Sequence, residues 1–197
     1  MDYALEMKTL FIDVKGKKEL NIKLPKGKVG LISSIQYLDQ LKELNIKDSV
    51  YGGVVLGCNA DNAVKIKDKV DFYFFLGEGR FHAMNAAVKT GKEVYIASGD
   101  KISHEDIEKY KKELKGKILK YLNAKKKGIL ISTKEGQYNI KEALKLKNKI
   151  QDSYLFIENT FDFSNLENFK DIDIWINTAC SRIEGKNIIN MEDLPKV

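Results

Sequence analysis

Only two cysteines occur among the 197 residues, and each ends a short apolar run with the composition of a buried strand. Cys58 ends the stretch YGGVVLGC, and Cys180 ends the stretch DIWINTAC, two positions before Arg182. We expect both thiols to be reduced, because the N-terminus shows no export signal. A reduced thiol can pack in a core, ligate a metal or act as a nucleophile, and for an isolated cysteine packing is the simpler interpretation.

A second candidate site is the glycine loop FLGEGRFH, residues 75–82. Gly77 and Gly79 would let the backbone approach a ligand closely, and Arg80 and His82 project from the same loop. The spacing is close to the dinucleotide fingerprint G-x-G-x-x-G, but His82 stands at the third glycine position, which argues against a nicotinamide cofactor. His82 also fits the role of a hydrogen-bonding residue at a helix start.

Several common catalytic and metal-binding motifs are absent from the sequence. There is no C-x-x-C pair, no G-x-x-x-x-G-K-[ST] loop, no G-x-S-x-G elbow and no H-E-x-x-H helix. These absences argue against a zinc ribbon, a P-loop NTPase, an α/β-hydrolase and a zinc protease.

Apolar runs without polar alternation recur between amphipathic stretches, a rhythm typical of parallel sheets covered by helices on both faces. The predicted strands are Lys8–Val14, Lys28–Ser33, Gly53–Gly57, Asp71–Leu76, Glu93–Ala97, Gly128–Ser132, Tyr154–Glu158 and Ile172–Asn177. The predicted helices are Ile35–Leu44, Asn62–Lys67, Phe81–Thr90, Ser103–Leu122 and Asn139–Ile150.

The helix predicted over Ser103–Leu122 begins with Ser103 and Asp106 at the spacing of a capping box, and it is followed by the charged segment NAKKKG. We therefore expect two small α/β lobes with parallel sheets, residues 1–124 and 125–197, of about five and about three strands. Ligands of such sheets bind beyond the carboxyl ends of the strands. Both cysteines and the glycine loop lie at predicted strand ends of this kind.

The bulk composition is that of a globular protein, with 43% hydrophobic and 31% charged residues. A formal charge of +6 suits an anionic partner such as nucleic acid, but lysines interspersed with acidic residues are also typical of solvated helix faces. No apolar run is long enough to span a membrane, so we expect a cytoplasmic protein with no membrane association.

Five stretches resemble, in order, motifs of the diphthamide synthase family, the 2-(3-amino-3-carboxypropyl)histidine synthases. They are VGLISSIQYL (29–38), GGVVLGC (52–58), FLGEGRFH (75–82), DIWINTACSRI (173–183) and NIINMEDL (187–194). The match extends over residues 28–194 and corresponds to the second and third domains of the family.

The resemblance implies an enzyme with three similar α/β domains, each giving one cysteine to a 4Fe-4S cluster. In this family the cluster cleaves S-adenosylmethionine, and the resulting 3-amino-3-carboxypropyl radical adds to a histidine of elongation factor 2. By motif, Cys58 and Cys180 would be cluster ligands. The residues that the resemblance places around S-adenosylmethionine are Gly77, Gly79, Arg80, His82 and Arg182.

The sequence departs from the family pattern in three places. The first domain and its cysteine have no counterpart, Ser181 stands where the family usually has proline, and STKEGQ (132–137) replaces a glycine-rich turn that normally contains arginine. Two thiolates cannot reproduce a three-cysteine site, so we expect a partner.

Three explanations of the missing cysteine stay open. A separate chain supplies the first domain, the protein is an inactive paralogue that supports a complete synthase, or a homodimer assembles a different cluster. A rival from another class is an α/β binding module for an anionic nucleotide or RNA, in which both cysteines pack.

Overall fold

A computed structural model describes residues 12, 14–20 and 23–195 as two β-sheets covered by helices, which confirms the predicted α/β class. The first sheet has the order β2-β1-β3-β4-β5, with β1 to β4 parallel and β5 antiparallel to β4. Its strands are β1 (Val29–Ser33), β2 (Ser49–Val54), β3 (Phe72–Leu76), β4 (Val94–Ile96) and β5 (Lys101–Ile102).

The second sheet is wholly parallel and has the order β7-β6-β8-β9. Its strands are β6 (Lys127–Ser132), β7 (Ser153–Glu158), β8 (Ile174–Asn177) and β9 (Ile188–Asn190). Parallel neighbours require crossover connections, and helices provide most of them.

Six α-helices of the described residues lie between the strands in the sequence. They are α1 (Leu38–Glu43), α2 (Asp61–Ile66), α3 (Phe81–Thr90), α4 (His104–Asn123), α5 (Ile140–Lys149) and α6 (Phe163–Leu166), with short 3-10 turns at Ile35–Tyr37, Lys67–Lys69 and Met191–Asp193. In the described part of the chain, none of the helices is both long and apolar enough to cross a membrane.

Each sheet buries both of its faces, which explains the unbroken apolar strands. All five residues of β3 are buried. Tyr73 and Phe75 pack under α2, α3 and α4, while Phe72 and Phe74 pack on the opposite face with Leu41 of α1. Successive strand residues point to opposite faces, so a strand covered on both sides must be apolar throughout.

The helix α4 belongs to the cores of both sheets. Ile107 in its second turn packs in the core of the first sheet, and Tyr121 near its end packs in the core of the second. The predicted capping box is present, because Ser103 Oγ accepts from the Asp106 N–H and the Asp106 carboxylate accepts from the Ser103 N–H. Lys120 donates to Asn187 Oδ1, just before β9.

One predicted strand has other bounds in the structure, two strands were not predicted, and one prediction is not tested. The strand predicted over Gly53–Gly57 is β2, Ser49–Val54, because Leu56 and Asn59 exchange two backbone hydrogen bonds and end it in a turn. The short edge strands β5 and β9 were not predicted, so the second sheet has four strands rather than three. The strand predicted over Lys8–Val14 lies, apart from residues 12 and 14, outside the described residues.

Gly128 in β6 provides a test of the packing around Trp175. A Cβ at Gly128 would overlap Cε3 and Cζ3 of the Trp175 ring, which is buried in the second sheet. We expect Gly128→Ala to lower the free energy of unfolding by about 1–3 kcal/mol, because the added methyl overpacks a filled site. Urea unfolding followed by circular dichroism measures the change.

Gly116→Ala is the matched control, since Gly116 is an exposed residue inside α4 with open space around it. The same Gly→Ala change there should raise the free energy of unfolding by about 0.5–1 kcal/mol through helix propensity. An unchanged stability of Gly128→Ala would contradict the packing described for Trp175.

Candidate functional site

A cavity of about 480 Å³ lies between the two sheets. The first sheet contributes the loop after β2, with Gly57 and Cys58, and residues of α3. The helix α4 contributes Tyr110, Glu113, Leu114 and Lys117, and the second sheet contributes residues between Ser181 and Asp193. Clefts that are built from several elements in this way are the usual location of small-molecule sites.

The loop that presents Cys58 is fixed by backbone hydrogen bonds at the carboxyl end of β2. The Val55 N–H donates to the Ser33 carbonyl of β1 at 2.8 Å, and the Leu56 N–H donates to the Asn59 carbonyl at 2.7 Å. Cys58 lies in this turn, is exposed and lines the cavity. The thiol is therefore accessible to a ligand in the cavity, and the packing interpretation does not describe it.

The loop that presents Cys180 is organised by one buried amide. Asn177, the last residue of β8, is 1% exposed. Its Nδ2 donates to the Cys180 carbonyl at 2.9 Å and to Asn190 Oδ1 at 2.8 Å, and its Oδ1 accepts from the Ala179 N–H at 2.9 Å. Cys180 is half-buried, and the two residues that follow it, Ser181 and Arg182, line the same cavity as Cys58.

The ring of Phe81 connects the two loops. A Cβ at Gly57 would overlap Cε1 and Cζ of Phe81, so only glycine lets the ring lie against the backbone next to Cys58. The guanidinium carbon of Arg182 lies 5.7 Å from the centroid of the same ring. Phe81 thus contacts Gly57, the residue before Cys58, and makes a cation–π contact with Arg182, two residues after Cys180.

The glycine loop after β3 positions Arg80 rather than leaving it free. Gly79 has a φ of +68°, which favours glycine, and turns the chain into α3. Arg80 Nη1 lies 2.7 and 2.8 Å from the Asp100 carboxylate oxygens, and Nη2 lies 3.1 Å from Asp106 Oδ1. The Asp100 carboxylate raises the pKa of Arg80, and the guanidinium charge is matched by two carboxylates.

His82, in the first turn of α3, is an imidazole with an unused nitrogen. Its Nδ1 is buried and has no hydrogen-bond partner among the described residues. Desolvation lowers the pKa of His82, and the positive charge of Arg182 lowers it further. The centroid of the His82 ring lies 5.4 Å from that of Phe81, which lines the cavity, whereas His82 does not line it.

Four acidic residues line the cavity. They are Glu113, Glu184, Glu192 and Asp193. Desolvation and the nearby acidic groups, Asp193 foremost, raise the pKa of Tyr110 to about 12, so its hydroxyl stays protonated as a hydrogen-bond donor. Arg182 lies by contrast beside Phe81 and Ser181, and it makes no ion pair within the described residues.

The donor set fits part of an iron–sulfur site. Fe–S clusters are held by cysteine thiolates, and both cysteines are free thiols. Cys58 lines the cavity, and Cys180, which does not line it, directly precedes two residues that do. Within residues 12, 14–20 and 23–195, no three His, Cys, Asp or Glu side chains group as a metal site. The chain thus offers two thiolates, fewer than a complete cluster requires.

Sequence reasoning did not single out Phe81 and Asn177. Phe81 looks like an ordinary apolar residue at a helix start, and its contact with Arg182 is long-range. A polar residue ending the apolar run IWIN was a usable signal for Asn177, because a buried amide must find hydrogen-bond partners.

Comparison with known proteins places these features in a family. The family model described as "Putative diphthamide synthesis protein" matches residues 12–190. The 2-(3-amino-3-carboxypropyl)histidine synthase of Methanocaldococcus jannaschii is 35% identical over 168 residues, which cover 79% of this chain and 45% of that protein. Subunit 1 of the corresponding Schizosaccharomyces pombe synthase is 29% identical over 175 residues, 79% of this chain and 39% of the subunit.

A solved structure is similar as well. The crystal structure of Dph2 from Pyrococcus horikoshii with a 4Fe-4S cluster superimposes with a TM-score of 0.68 at 26% sequence identity, covering 84% of this chain and 55% of that one. The chain spans about half the length of the curated relatives it matches. With a family match over nearly its whole length and the same fold as a solved relative, the chain belongs to the diphthamide synthesis protein family.

Proposed function

We propose that this chain forms part of a diphthamide synthase, which transfers the 3-amino-3-carboxypropyl group of S-adenosylmethionine to a histidine of elongation factor 2. The observation that supports this most directly is the shared cavity, in which Cys58 from one sheet and Ser181 and Arg182 from the other meet across Phe81. Transfer breaks the bond between sulfur and the aminocarboxypropyl carbon and a C–H bond of the histidine ring. It forms a carbon–carbon bond between the two groups and releases methylthioadenosine and a proton.

Cys58 and Cys180 are the proposed cluster ligands. Both are free, and each lies on a loop that backbone or Asn177 hydrogen bonds hold in place. When bound, a reduced 4Fe-4S cluster would supply the electron for radical cleavage of S-adenosylmethionine. A relative, Dph2 from Pyrococcus horikoshii, was crystallised with a cluster of this kind.

Arg182 is the proposed binding residue for the methionine carboxylate. Its guanidinium has no carboxylate partner within the described part of the chain and is supported by the face of Phe81. A planar guanidinium binds a carboxylate bidentately, which fixes orientation as well as charge. In this proposal the loop of Gly77, Gly79, Arg80 and His82 lies next to the ligand, although of these four residues only Arg80 lines the cavity. Arg80 holds the loop through Asp100 and Asp106.

The remaining thiolate comes, in this proposal, from polypeptide beyond these 197 residues. The chain spans about half of its relatives, and one of them is named as a subunit. A separate chain with the family's first domain is the partner that would complete the site, and a second copy of this chain or a full-length paralogue are the alternatives. The proposed location is the cytoplasm, where elongation factor 2 works.

A second function, a non-catalytic partner subunit, is favoured by two observations. The described residues contain no third ligand, and the charge of Arg80 is already matched by two carboxylates. In that case the chain would support a complete synthase without holding iron itself. Iron binding distinguishes the two functions.

Anaerobic reconstitution with iron and sulfide tests the cluster assignment. The chain, mixed with a first-domain polypeptide of the family, should bind iron and show sulfur-to-iron charge-transfer absorption. We expect Cys58→Ser and Cys180→Ser each to reduce both signals to background, because the serine hydroxyl preserves size but not thiolate ligation. Iron analysis and visible spectroscopy measure the result.

Ser132→Ala is the control for nonspecific effects. Ser132 is a buried residue at the carboxyl end of β6 whose hydroxyl donates to the Asn159 carbonyl and accepts from the Lys134 N–H. It does not line the cavity, so the variant should retain iron. Failure of the unaltered chain to bind iron, alone and with the added polypeptide, would contradict the catalytic proposal and leave the partner role.

The two arginines of the site make a separate test. We expect Arg182→Gln to weaken binding of S-adenosylhomocysteine by about tenfold or more, because a charge-assisted hydrogen bond to the carboxylate is lost. Arg80→Gln should change this affinity by only about twofold, since the Arg80 charge already pairs with Asp100 and Asp106. Isothermal titration calorimetry measures both affinities.

If both variants lose the same affinity for S-adenosylhomocysteine, the carboxylate is bound by the overall positive charge of the site and not by Arg182 in particular. Unfolding curves for both proteins are needed beside the titrations, since Arg80→Gln leaves two carboxylates without their shared partner.

A further inference from the structure

Ser181 has a buried hydroxyl that no described residue satisfies. The residue is 8% exposed, and its Oγ is fully buried and has no hydrogen-bond partner among the described residues. Buried hydroxyls are normally paired, because desolvation without a partner costs free energy. Ser181 also lines the cavity between the sheets. Because its hydroxyl has no partner where it lies, rotation about the Cα–Cβ bond toward a molecule in the cavity breaks no hydrogen bond with a described residue.

The backbone around Ser181 is held in a turn. The Ile183 N–H donates to the Cys180 carbonyl at 2.9 Å, which makes Ser181 and Arg182 the two central residues of a four-residue turn. Asn177 Nδ2 donates to the same Cys180 carbonyl at 2.9 Å. With its first residue held from two sides, the turn presents the Ser181 and Arg182 side chains to one cavity.

The two side chains form a suitable corner for a carboxylate. A hydroxyl donates one hydrogen bond, and a guanidinium donates two in parallel, so together they can satisfy both carboxylate oxygens. The carboxylates of Glu113, Glu184, Glu192 and Asp193 also line the cavity and repel an anion, so the guanidinium of Arg182 is the favourable place for one. Lys89 and Lys117 also line the cavity, but neither has an unpaired buried hydroxyl next to it in the chain.

We propose that Ser181 donates a hydrogen bond to the carboxylate of the aminocarboxypropyl group and thereby selects ligands that have this group. The proposal rests on the proposed function, because it takes S-adenosylmethionine as the ligand. It adds a specificity-determining residue that works with Arg182 and does not depend on the cluster for its hydrogen bond.

A comparison of two nucleosides tests the contribution of the carboxylate to binding. S-adenosylhomocysteine has the aminocarboxypropyl group, and 5′-methylthioadenosine lacks it. We expect Ser181→Ala to weaken S-adenosylhomocysteine binding to the iron-free chain about tenfold, and to change 5′-methylthioadenosine binding by less than about twofold. Calorimetric titration of the unaltered and altered chains with both nucleosides gives the four affinities.

Ser33→Ala is the matched control. Ser33 Oγ is also buried and without a partner among the described residues, but Ser33 lies at the end of β1 and does not line the cavity. Its replacement should leave both affinities unchanged. Ser181→Thr keeps a hydroxyl at this position and should keep the preference for S-adenosylhomocysteine. That result would show that the loss in Ser181→Ala comes from the missing hydroxyl and not from a folding defect.

Each other outcome overturns the inference in a recognisable way. If Ser181→Ala binds S-adenosylhomocysteine as tightly as the unaltered chain, the hydroxyl does not contact the carboxylate. If it weakens both nucleosides equally, Ser181 only shapes the cavity. If the unaltered chain binds neither nucleoside, the proposed function fails together with this inference, whereas in the first two cases it stands.

Discussion

The arrangement of this protein depends on one helix that is buried in two cores at once. Ile107 of α4 packs against the first sheet and Tyr121 against the second. A twenty-residue helix is about 30 Å long and stiff, so the two buried residues fix how far apart the sheets stand. The cavity between the sheets follows from this spacing, since α4 lines it with Tyr110 and Glu113.

Within that cavity, Phe81 connects residues from the two sheets. Gly57 lets the ring approach the loop of Cys58, and the opposite loop places Arg182 at 5.7 Å from the ring centroid. A cation–π contact contributes about 0.5–2 kcal/mol, which is small beside the burial in the two cores. Phe81 therefore brings the two loops into contact but does not hold the sheets together.

The sequence predicted the long elements well and the short ones poorly. The bounds predicted for α3, Phe81–Thr90, match the structure, and the Ser103 capping box marks the start of α4, because both signals are local. The strands β5 and β9, of two and three residues, are too short to show a periodicity. At the site, the two cysteines and Arg182 were visible as residue types, but the contact of Arg182 with Phe81 depends on tertiary packing.

Each of the two cysteine turns of the proposed site is held by hydrogen bonds of its own. The Cys58 turn is closed by hydrogen bonds between Leu56 and Asn59, and the Cys180 turn by Asn177, without help from the other loop. Neither turn requires a third cysteine in order to fold. A cluster ligand supplied by other polypeptide would therefore meet two thiols that are already positioned, and the ordering cost of completing the site would fall mainly on that polypeptide.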